Sequence, residues 1–181
     1  MAAPSSRKPQ RRAKGSGKPP GNAGDWIPGN PVSALKPLMF LVGRWRTVIR
    51  WSEETRKLAG GPRSFQANAR FEWLARGQFL MVTLRIGFPT RWIIAGDDGS
   101  TMYTLLGSDS RGVSRVYSMS LKRGIWRLWR ASPGFHQRFV GTVSKDERTI
   151  TGYFERSVDG RRWIRDADIV FTREGQSTSQ C

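Results

Sequence analysis

Two polar side chains in residues 113–121 have the types and the spacing to bind an acidic group. In an extended segment alternate side chains share a face, so Val113, Arg115, Tyr117, Met119 and Leu121 point the same way. Because three of these five are apolar, we expect this face to point into the core. A charge buried there needs a partner, whether a carboxylate, a water cluster or a ligand. We therefore predict that Arg115, Tyr117 and Met119 contact a ligand. The alternative is that Arg115 makes an internal ion pair or lies at the mouth of the barrel.

The only histidine of the chain is a second polar candidate. His136 and Arg138 share a face two residues apart, and they either extend the same ligand site or lie outside it. One His and one Cys, Cys181, do not suffice for a Ser-His-Asp or Cys-His arrangement or for a metal cluster. We predict no catalytic residue, no metal site and a non-enzymatic protein. An acid-base enzyme built from Arg, Tyr and Asp is the alternative.

A pair of carboxylates near the end of the chain could suggest acid-base chemistry. Asp166 and Asp168 are predicted to share a face of one strand, but Arg161, Arg162 and Arg165 lie close to them in sequence. Opposite charges at this spacing predict ion pairs rather than a catalytic pair.

Residues 1–24 are predicted to form a disordered basic tail. They hold six cations and no acid among Pro, Gly, Ser and Ala, a composition that cannot bury enough apolar area to offset chain entropy. The six cations are Arg7, Lys8, Arg11, Arg12, Lys14 and Lys18. They are the predicted contacts for an anionic partner such as nucleic acid. Without them the formal charge of +17 falls to +11, so the rest of the chain is basic as well.

The elements that carry these candidates follow a period-two pattern. Residues 43–51 place Trp45, Thr47 and Ile49 on one face and three arginines on the other. Similar short segments follow, separated by turn residues such as Arg76-Gly77 and Asp159-Gly160. This repeat predicts about ten strands joined by short turns.

The pattern predicts an all-β fold. Strands joined by short turns are antiparallel neighbours, and closing them removes exposed edges, so we expect a single up-and-down antiparallel β-barrel. A β-sandwich is the alternative. The predicted organisation is a tail over 1–24, a Pro/Gly-rich lead-in over 25–37, a barrel over 38–174 and a frayed end over 175–181, with a short helical turn at about 32–41.

Composition limits the class of protein further. With 38% hydrophobic and 11% aromatic residues, the chain is too apolar to be wholly disordered. It has no run of roughly 20 apolar residues that would span a membrane, and no apolar run that would act as a signal peptide after the basic start. A single cysteine fits a reducing compartment, so we expect a cytoplasmic protein.

The run Phe40-Leu41-Val42-Gly43-Arg44-Trp45 resembles the Gly-x-Trp start of lipocalin-like (calycin) barrels. Residues 109–117 and 129–139 resemble an uncharacterised bacterial family of lipocalin-like domains, and the resemblance covers about 38–174. It implies a lipocalin-like barrel in which Arg173, on the last strand, packs over Trp45 beside Gly43 and closes one end.

Two related kinds of barrel carry further implications. The Arg115-x-Tyr117 pair is similar to the Arg-x-Tyr with which fatty-acid-binding barrels hold a lipid carboxylate, although there the pair lies on the last strand. Nitrobindin-type barrels hold haem through a His near the C-terminal strand, where this chain has none; His136 lies earlier. No cofactor is predicted, and haem is kept as an alternative.

These observations predict a non-enzymatic barrel that binds a small hydrophobic or amphipathic ligand, with Arg115 and Tyr117 holding its acidic group. The first alternative is an adaptor that binds nucleic acid or another anionic partner through the tail and the barrel exterior. The second is a haem-binding barrel or a small-molecule enzyme. Period two is shared by filled and hollow barrels, so the sequence leaves open whether there is a cavity.

Overall fold

The computed structural model describes residues 31–60, 62–86, 88–97 and 99–175. The strands are β1 (Gly43–Trp51), β2 (Ser64–Leu74), β3 (Phe79–Ile86), β4 (Phe88–Gly96), β5 (Tyr103–Asp109), β6 (Ser114–Lys122), β7 (Ile125–Arg130), β8 (His136–Val143), β9 (Thr149–Ser157) and β10 (Ile164–Arg173). A 3₁₀ helix, Ser33–Leu41, precedes β1, and a short helix α1, Glu53–Ala59, joins β1 to β2.

Each strand pairs antiparallel with its neighbours in sequence, and β1 also pairs with β10. The last pairing closes the sheet, with Trp45 opposite Arg173 on one side and Ala69 on the other. The prediction of a closed ten-stranded antiparallel barrel with a short N-terminal helical turn is therefore confirmed.

Burial along the strands follows the predicted alternation. In β1, Trp45, Thr47 and Ile49 are buried, whereas Arg46 and Arg50 are exposed. This arrangement arises because successive side chains of a pleated strand point to opposite faces. The inward face of β6 is also as expected, with Tyr117 and Met119 buried.

The half of the barrel nearer the start of β1 is filled by aromatic side chains. The ring of Trp126 lies 5.3 Å from that of Phe139, 6.1 Å from Phe171 and 6.4 Å from Phe71, centroid to centroid. Phe139 lies close over the backbone of β9, since a Cβ on Gly152 would come within 2.7 Å of its ring. Glycine at that position therefore lets the ring lie against the sheet.

One element departs from the prediction. We expected a single helical turn, but α1 is a second helix, begun by Ser52, whose side-chain oxygen accepts a hydrogen bond from the Thr55 amide at 3.1 Å. Glu53 and Glu54 lie in its first turn and Arg56 and Lys57 in its last, which suits the helix dipole. The sequence does contain the capping serine and the charged residues at both ends, but a helix of seven residues is too short to show a helical period of apolar residues.

Candidate functional site

A cavity of about 730 Å³ lies at the end of the barrel where β1 ends. Most of its surface is apolar, and polar side chains from α1 and from strands all round the barrel complete the lining. Its apolar lining comprises Ile49, Trp51, Pro62, Phe65, Trp92, Leu105, Leu128, Phe135, Phe154, Ala167 and Ile169. Its polar lining comprises Thr55, Gln66, Arg85, Thr90, Asp109, Arg111, Arg115, Tyr117, Gln137 and Asp166. A mostly apolar concavity with a few converging polar groups is typical of small-molecule sites.

The barrel is thus filled at one end and hollow at the other. Leu105, Leu128 and Ile169 are buried at the floor of the cavity, and the aromatic cluster around Trp126 packs on the other side of them. Ala167 lines the hollow half, where a larger side chain would fill part of the space.

Arg115, on β6, contributes a guanidinium to the cavity wall. Its carbon Cζ lies 4.9 Å from the ring centroid of Phe135, and Cζ of Arg130, from β7, lies 5.8 Å from the same ring. Within the described parts of the chain, no carboxylate forms an ion pair with Arg115. Contact with a ring face offsets part of the cost of a half-buried cation and leaves the N–H donors in its plane available.

Tyr117 lies beside these two cations and is almost fully buried. Burial raises the pKa of its hydroxyl above the ordinary value, although the charges of Arg115 and Arg130 act in the opposite direction. The hydroxyl is therefore protonated near neutral pH, and it donates a hydrogen bond to Oε1 of Gln137 at 2.6 Å.

A chain of hydrogen bonds continues from Tyr117 across the barrel interior. Gln137, on β8, donates from Nε2 to Oδ2 of Asp166, on β10, at 3.3 Å. The Thr55 hydroxyl, on α1, donates to Oδ1 of the same carboxylate at 2.8 Å. These contacts connect three strands and the helix over the cavity.

Asp166 points inward because of a β-bulge. The register between β9 and β10 shifts between Arg165 and Ala167, so that both Asp166 and Ala167 are buried. Arg156 lies beside the carboxylate, with Nε at 3.6 Å from Oδ1. Bulges of this kind redirect a side chain, here a carboxylate into a cavity. The prediction that Asp166 and Asp168 share a face is therefore wrong, because Asp166 is buried and Asp168 is exposed.

The opposite end of the barrel holds the three residues singled out by the lipocalin resemblance. The Arg173 guanidinium lies 4.6 Å from the Trp45 ring centroid and donates to the Val42 carbonyl at 2.8 Å. Trp45 is fully buried, and its Nε1 donates to the Leu41 carbonyl at 2.7 Å. A Cβ on Gly43, which has φ of 130°, would lie 3.0 Å from Arg173 Nη1, so the glycine makes room for the guanidinium.

Of the five predicted ligand contacts, Arg115 and Tyr117 line the cavity. Met119 points inward but lies deeper, fully buried in the core. Arg138 is on the outer face, with Nε at 2.6 Å from Oε2 of Glu155 and its guanidinium 4.1 Å from the Trp163 ring. His136 shares that outward parity and packs against Gly160. His136 and Arg138 therefore lie outside the cavity and do not extend the polar site of Arg115 and Tyr117.

The basic tail, including Arg7, Lys8, Arg11, Arg12, Lys14 and Lys18, lies outside the described residues, as does the chain end after Gly175.

Haem ligation through histidine does not fit this cavity. The only imidazole of the chain belongs to His136, which is not part of the lining. Among the described residues no group of three His, Cys, Asp or Glu side chains could hold a metal ion.

Sequence reasoning missed three polar groups of the site. Arg130, whose charge lies beside Tyr117, was hidden in a run of alternating Trp and Arg, although Leu128 and Trp126, two and four residues earlier, predict its inward direction. Gln137 precedes the buried Phe139 by two residues and has the same signal. The sequence contains no signal for the inward direction of Asp166, because a bulge reverses the inward and outward alternation of a strand without a recognisable sequence pattern.

The fold and the cavity define an antiparallel ten-stranded β-barrel that opens at one end. Among solved structures, the chain is similar to the crystal structure of Rv2717c from M. tuberculosis, with a TM-score of 0.58 and 13% sequence identity over 81% of this chain and 100% of that one. At this identity the likeness concerns the fold alone. No family model matches the chain, and no curated protein matches it.

No helix in the described ranges is long and apolar enough to cross a membrane.

Proposed function

We propose that this protein is a non-enzymatic, lipocalin-like barrel that binds a small amphipathic ligand bearing an anionic group. In this proposal the apolar part of the ligand occupies the cavity above Leu105 and Leu128. The anionic group accepts hydrogen bonds from Arg115 and from Tyr117, whose hydroxyl exchanges its hydrogen bond to Oε1 of Gln137 for one to the ligand.

One observation carries the proposal: Arg115 reaches a largely apolar cavity without a carboxylate partner among the described residues. A half-buried cation next to apolar surface is costly unless an anion or water accompanies it. The Tyr117 hydroxyl and the guanidinium of Arg130 lie beside it, which adds donors and positive charge for the same anion.

The lipocalin-like assignment rests on the other end of the barrel. Gly43, Trp45 and Arg173 have the arrangement that the resemblance implies, and this supports membership of that superfamily. We keep the prediction of a cytoplasmic location, which rests on the single cysteine of the chain.

Calorimetric titration with dodecanoate and dodecanol separates the contribution of charge from that of the apolar chain. We expect Arg115→Leu to weaken dodecanoate binding about tenfold, because it removes a charge-assisted hydrogen bond, and to leave dodecanol binding nearly unchanged. The matched control is Arg127→Leu, which removes an exposed arginine from the outer face of β7. Equal losses for dodecanoate in both variants, or saturable binding of neither ligand, would contradict the proposal.

A further inference from the structure

The outer face of the barrel carries an exposed apolar patch across β4 to β7. Leu106 is 44% exposed, Val116 58% and Trp129 38%. Ile93 lies directly opposite Leu106, and Leu106 lies directly opposite Val116. Trp129 lies opposite Ser118, which places it diagonally next to Val116. Side chains at such positions of neighbouring strands are within reach of one another, so these four apolar residues form one surface, the outer apolar patch.

The polar neighbours of the outer apolar patch are too short to cover it. The other outward positions of β5 and the adjacent positions of β6 hold exposed hydroxyl side chains: Thr104, Ser108, Ser114 and Ser118. Leu106 and Val116 therefore project beyond their surroundings into solvent. A contiguous exposed apolar surface marks a site of interaction with another protein, a ligand or a membrane.

The charges around the outer apolar patch are positive and lack carboxylate partners. Arg91 on β4 and Arg127 on β7 are exposed on the same outer face, two residues from Ile93 and Trp129. Neither arginine forms an ion pair with any residue that the structure describes. Strands β4 to β7 contain a single carboxylate, that of Asp109, and it lines the cavity.

Elsewhere on the barrel, outer arginines do have carboxylate partners. Ion pairs lie on the outer faces of β2, β8, β9 and β10: Arg70–Glu72 at 2.8 Å, Arg138–Glu155 at 2.6 Å and Arg165–Asp168 at 3.4 Å. The outer apolar patch and its two flanking arginines therefore form a surface that is both apolar and cationic.

This combination of groups selects among the possible partners. A second copy of the chain would bring Arg91 and Arg127 of both copies together with no carboxylate between them. Nucleic acid would satisfy the arginines, but bases stack on flat rings, and three of the four patch residues are aliphatic. An anionic bilayer offers negative headgroups beside acyl chains, and tryptophan is favoured at the boundary between them.

We propose that the outer face of β4 to β7 is a docking surface for an anionic lipid bilayer. Leu106 and Val116 enter the boundary between headgroups and acyl chains, and Trp129 lies at the level of the headgroups. Arg91 and Arg127 contact the lipid phosphates. The barrel lies on the bilayer and does not cross it. This inference goes beyond the proposed function and does not depend on what the cavity binds.

Flotation with lipid vesicles tests the apolar contribution in the full-length protein. The vesicles are phosphatidylcholine with about one-third phosphatidylglycerol, at about 0.15 M salt. We expect Leu106→Ser combined with Val116→Ser to weaken partition onto these vesicles about tenfold, although it changes no charge. The matched control combines Leu58→Ser and Val158→Ser, which removes a leucine and a valine that are more exposed but lie outside the patch. An unchanged partition, or equal losses in both double variants, would overturn the proposal.

Amide NMR of the native protein locates the docked face without any variant. Anionic bicelles that carry a nitroxide-labelled lipid broaden the signals of nearby amides. We expect the amides of Leu106 and Val116 to broaden more than those of Val48 and Val170. These two valines are the matched control, because they also pair across neighbouring strands, and their strands β1 and β10 lie opposite β6 and β5 in the ring. Equal broadening, as docking through residues 1–24 alone would give, contradicts the proposal.

The other possible occupants give different results in the same variant. A single-stranded RNA should bind the Leu106→Ser, Val116→Ser variant and the native protein equally, because every arginine and every aromatic ring is kept. A loss of RNA binding without a loss of vesicle binding would assign the surface to nucleic acid. A native dimer that becomes monomeric in the variant would assign it to a second copy of the chain. Either result overturns the proposal.

Discussion

Arg173 and Arg115 each hold a guanidinium against an aromatic ring, at 4.6 Å from Trp45 and 4.9 Å from Phe135. Their surroundings differ. Arg173 also donates to the Val42 carbonyl and closes one end of the barrel, whereas Arg115 borders a cavity. The same contact therefore has a structural role at one end and is available for binding at the other.

This difference predicts that replacing the two arginines has different effects on the free energy of unfolding. Arg173→Leu should lower the free energy of unfolding by about 1–3 kcal/mol, because it removes a hydrogen bond and a cation-π contact over a buried indole. Arg115→Leu should leave stability unchanged or raise it, since it removes a half-buried charge. Urea denaturation of both variants checks this, and a larger loss for Arg115→Leu would be inconsistent with our account of the two ends.

The buried hydroxyl of Tyr117 predicts a late-titrating phenol. Burial raises the pKa of Tyr117, so the folded state should retain this proton above the ordinary value of about 10. A raised pKa contributes stability below the pKa of the unfolded chain, and that stability is lost as pH rises through the folded pKa. The ultraviolet difference titration between the native protein and Tyr117→Phe should show this phenol. Ionisation at or below the ordinary value would contradict the prediction.

For single residues, the sequence predicts whether a side chain points inward or outward wherever the alternation along its strand is undisturbed. The inward direction of Arg115 and Tyr117 follows from their apolar neighbours at alternate positions. The roles of His136 and Arg138 could not be decided, because their segment begins at the rim with polar residues on both faces. Asp166 was beyond prediction, since the bulge that directs it inward depends on how two strands pair.

At the scale of elements, α1 is held to the barrel through one residue of β10. The Ser52 amide donates to the Asp166 carbonyl at 3.0 Å, and the Thr55 hydroxyl donates to its carboxylate at 2.8 Å. A helix of seven residues is too short to be stable alone, so its position depends on such tertiary contacts.

Removing the Thr55 hydroxyl should therefore loosen α1. In Thr55→Val the loss of one hydrogen bond to a carboxylate, worth about 1–2 kcal/mol, should speed hydrogen exchange of the Arg56 and Gly60 amides about tenfold or more. These amides donate to the carbonyls of Ser52 and Arg56 within the helix. Thr104→Val, on the exposed face of β5, is the control. Unchanged exchange at both amides would show that α1 is held by something else.

The strands were predictable and α1 was not, for a physical reason. Strand alternation repeats every two residues, so nine residues such as β1 show it several times. The signals for α1 are a capping serine and charges at its two ends, which also occur in ordinary turns.

At the scale of the whole molecule, the sequence predicts that the sheet closes into a barrel but not whether the barrel interior is filled. Ten short strands with tight turns favour a closed sheet, and the structure confirms it. Whether the interior is solid depends on how the inward side chains of all strands fit together at each level. The rings of Trp126, Phe139 and Phe171 meet in one half of the barrel and fill it, whereas the small side chain of Ala167 lines the cavity in the other half. Which side chains meet at a given height depends on the register between strands.

The charge of +17 predicts binding to polyanions that weakens with salt. Deleting residues 1–24 removes six cations, so the shortened chain should elute from heparin at lower salt than the full chain. A full-length variant with the six replaced by Ser controls for length and should elute with the deletion variant. If both variants elute with the native protein, residues 1–24 do not contribute to polyanion binding. Any anionic partner must then contact the barrel exterior.

The location of a bound amphiphile tests the central claim most directly. Isotope-filtered NMR of the protein with carbon-13-labelled dodecanoate measures which side chains lie near the ligand. Our account predicts nuclear Overhauser effects from the chain methylenes to Leu128, Trp92 and Phe135 in the cavity. These effects should be weaker in Arg115→Leu at the same sub-saturating ligand concentration. Contacts confined to the exposed outer side chains of Leu106, Val116 and Trp129 would contradict it.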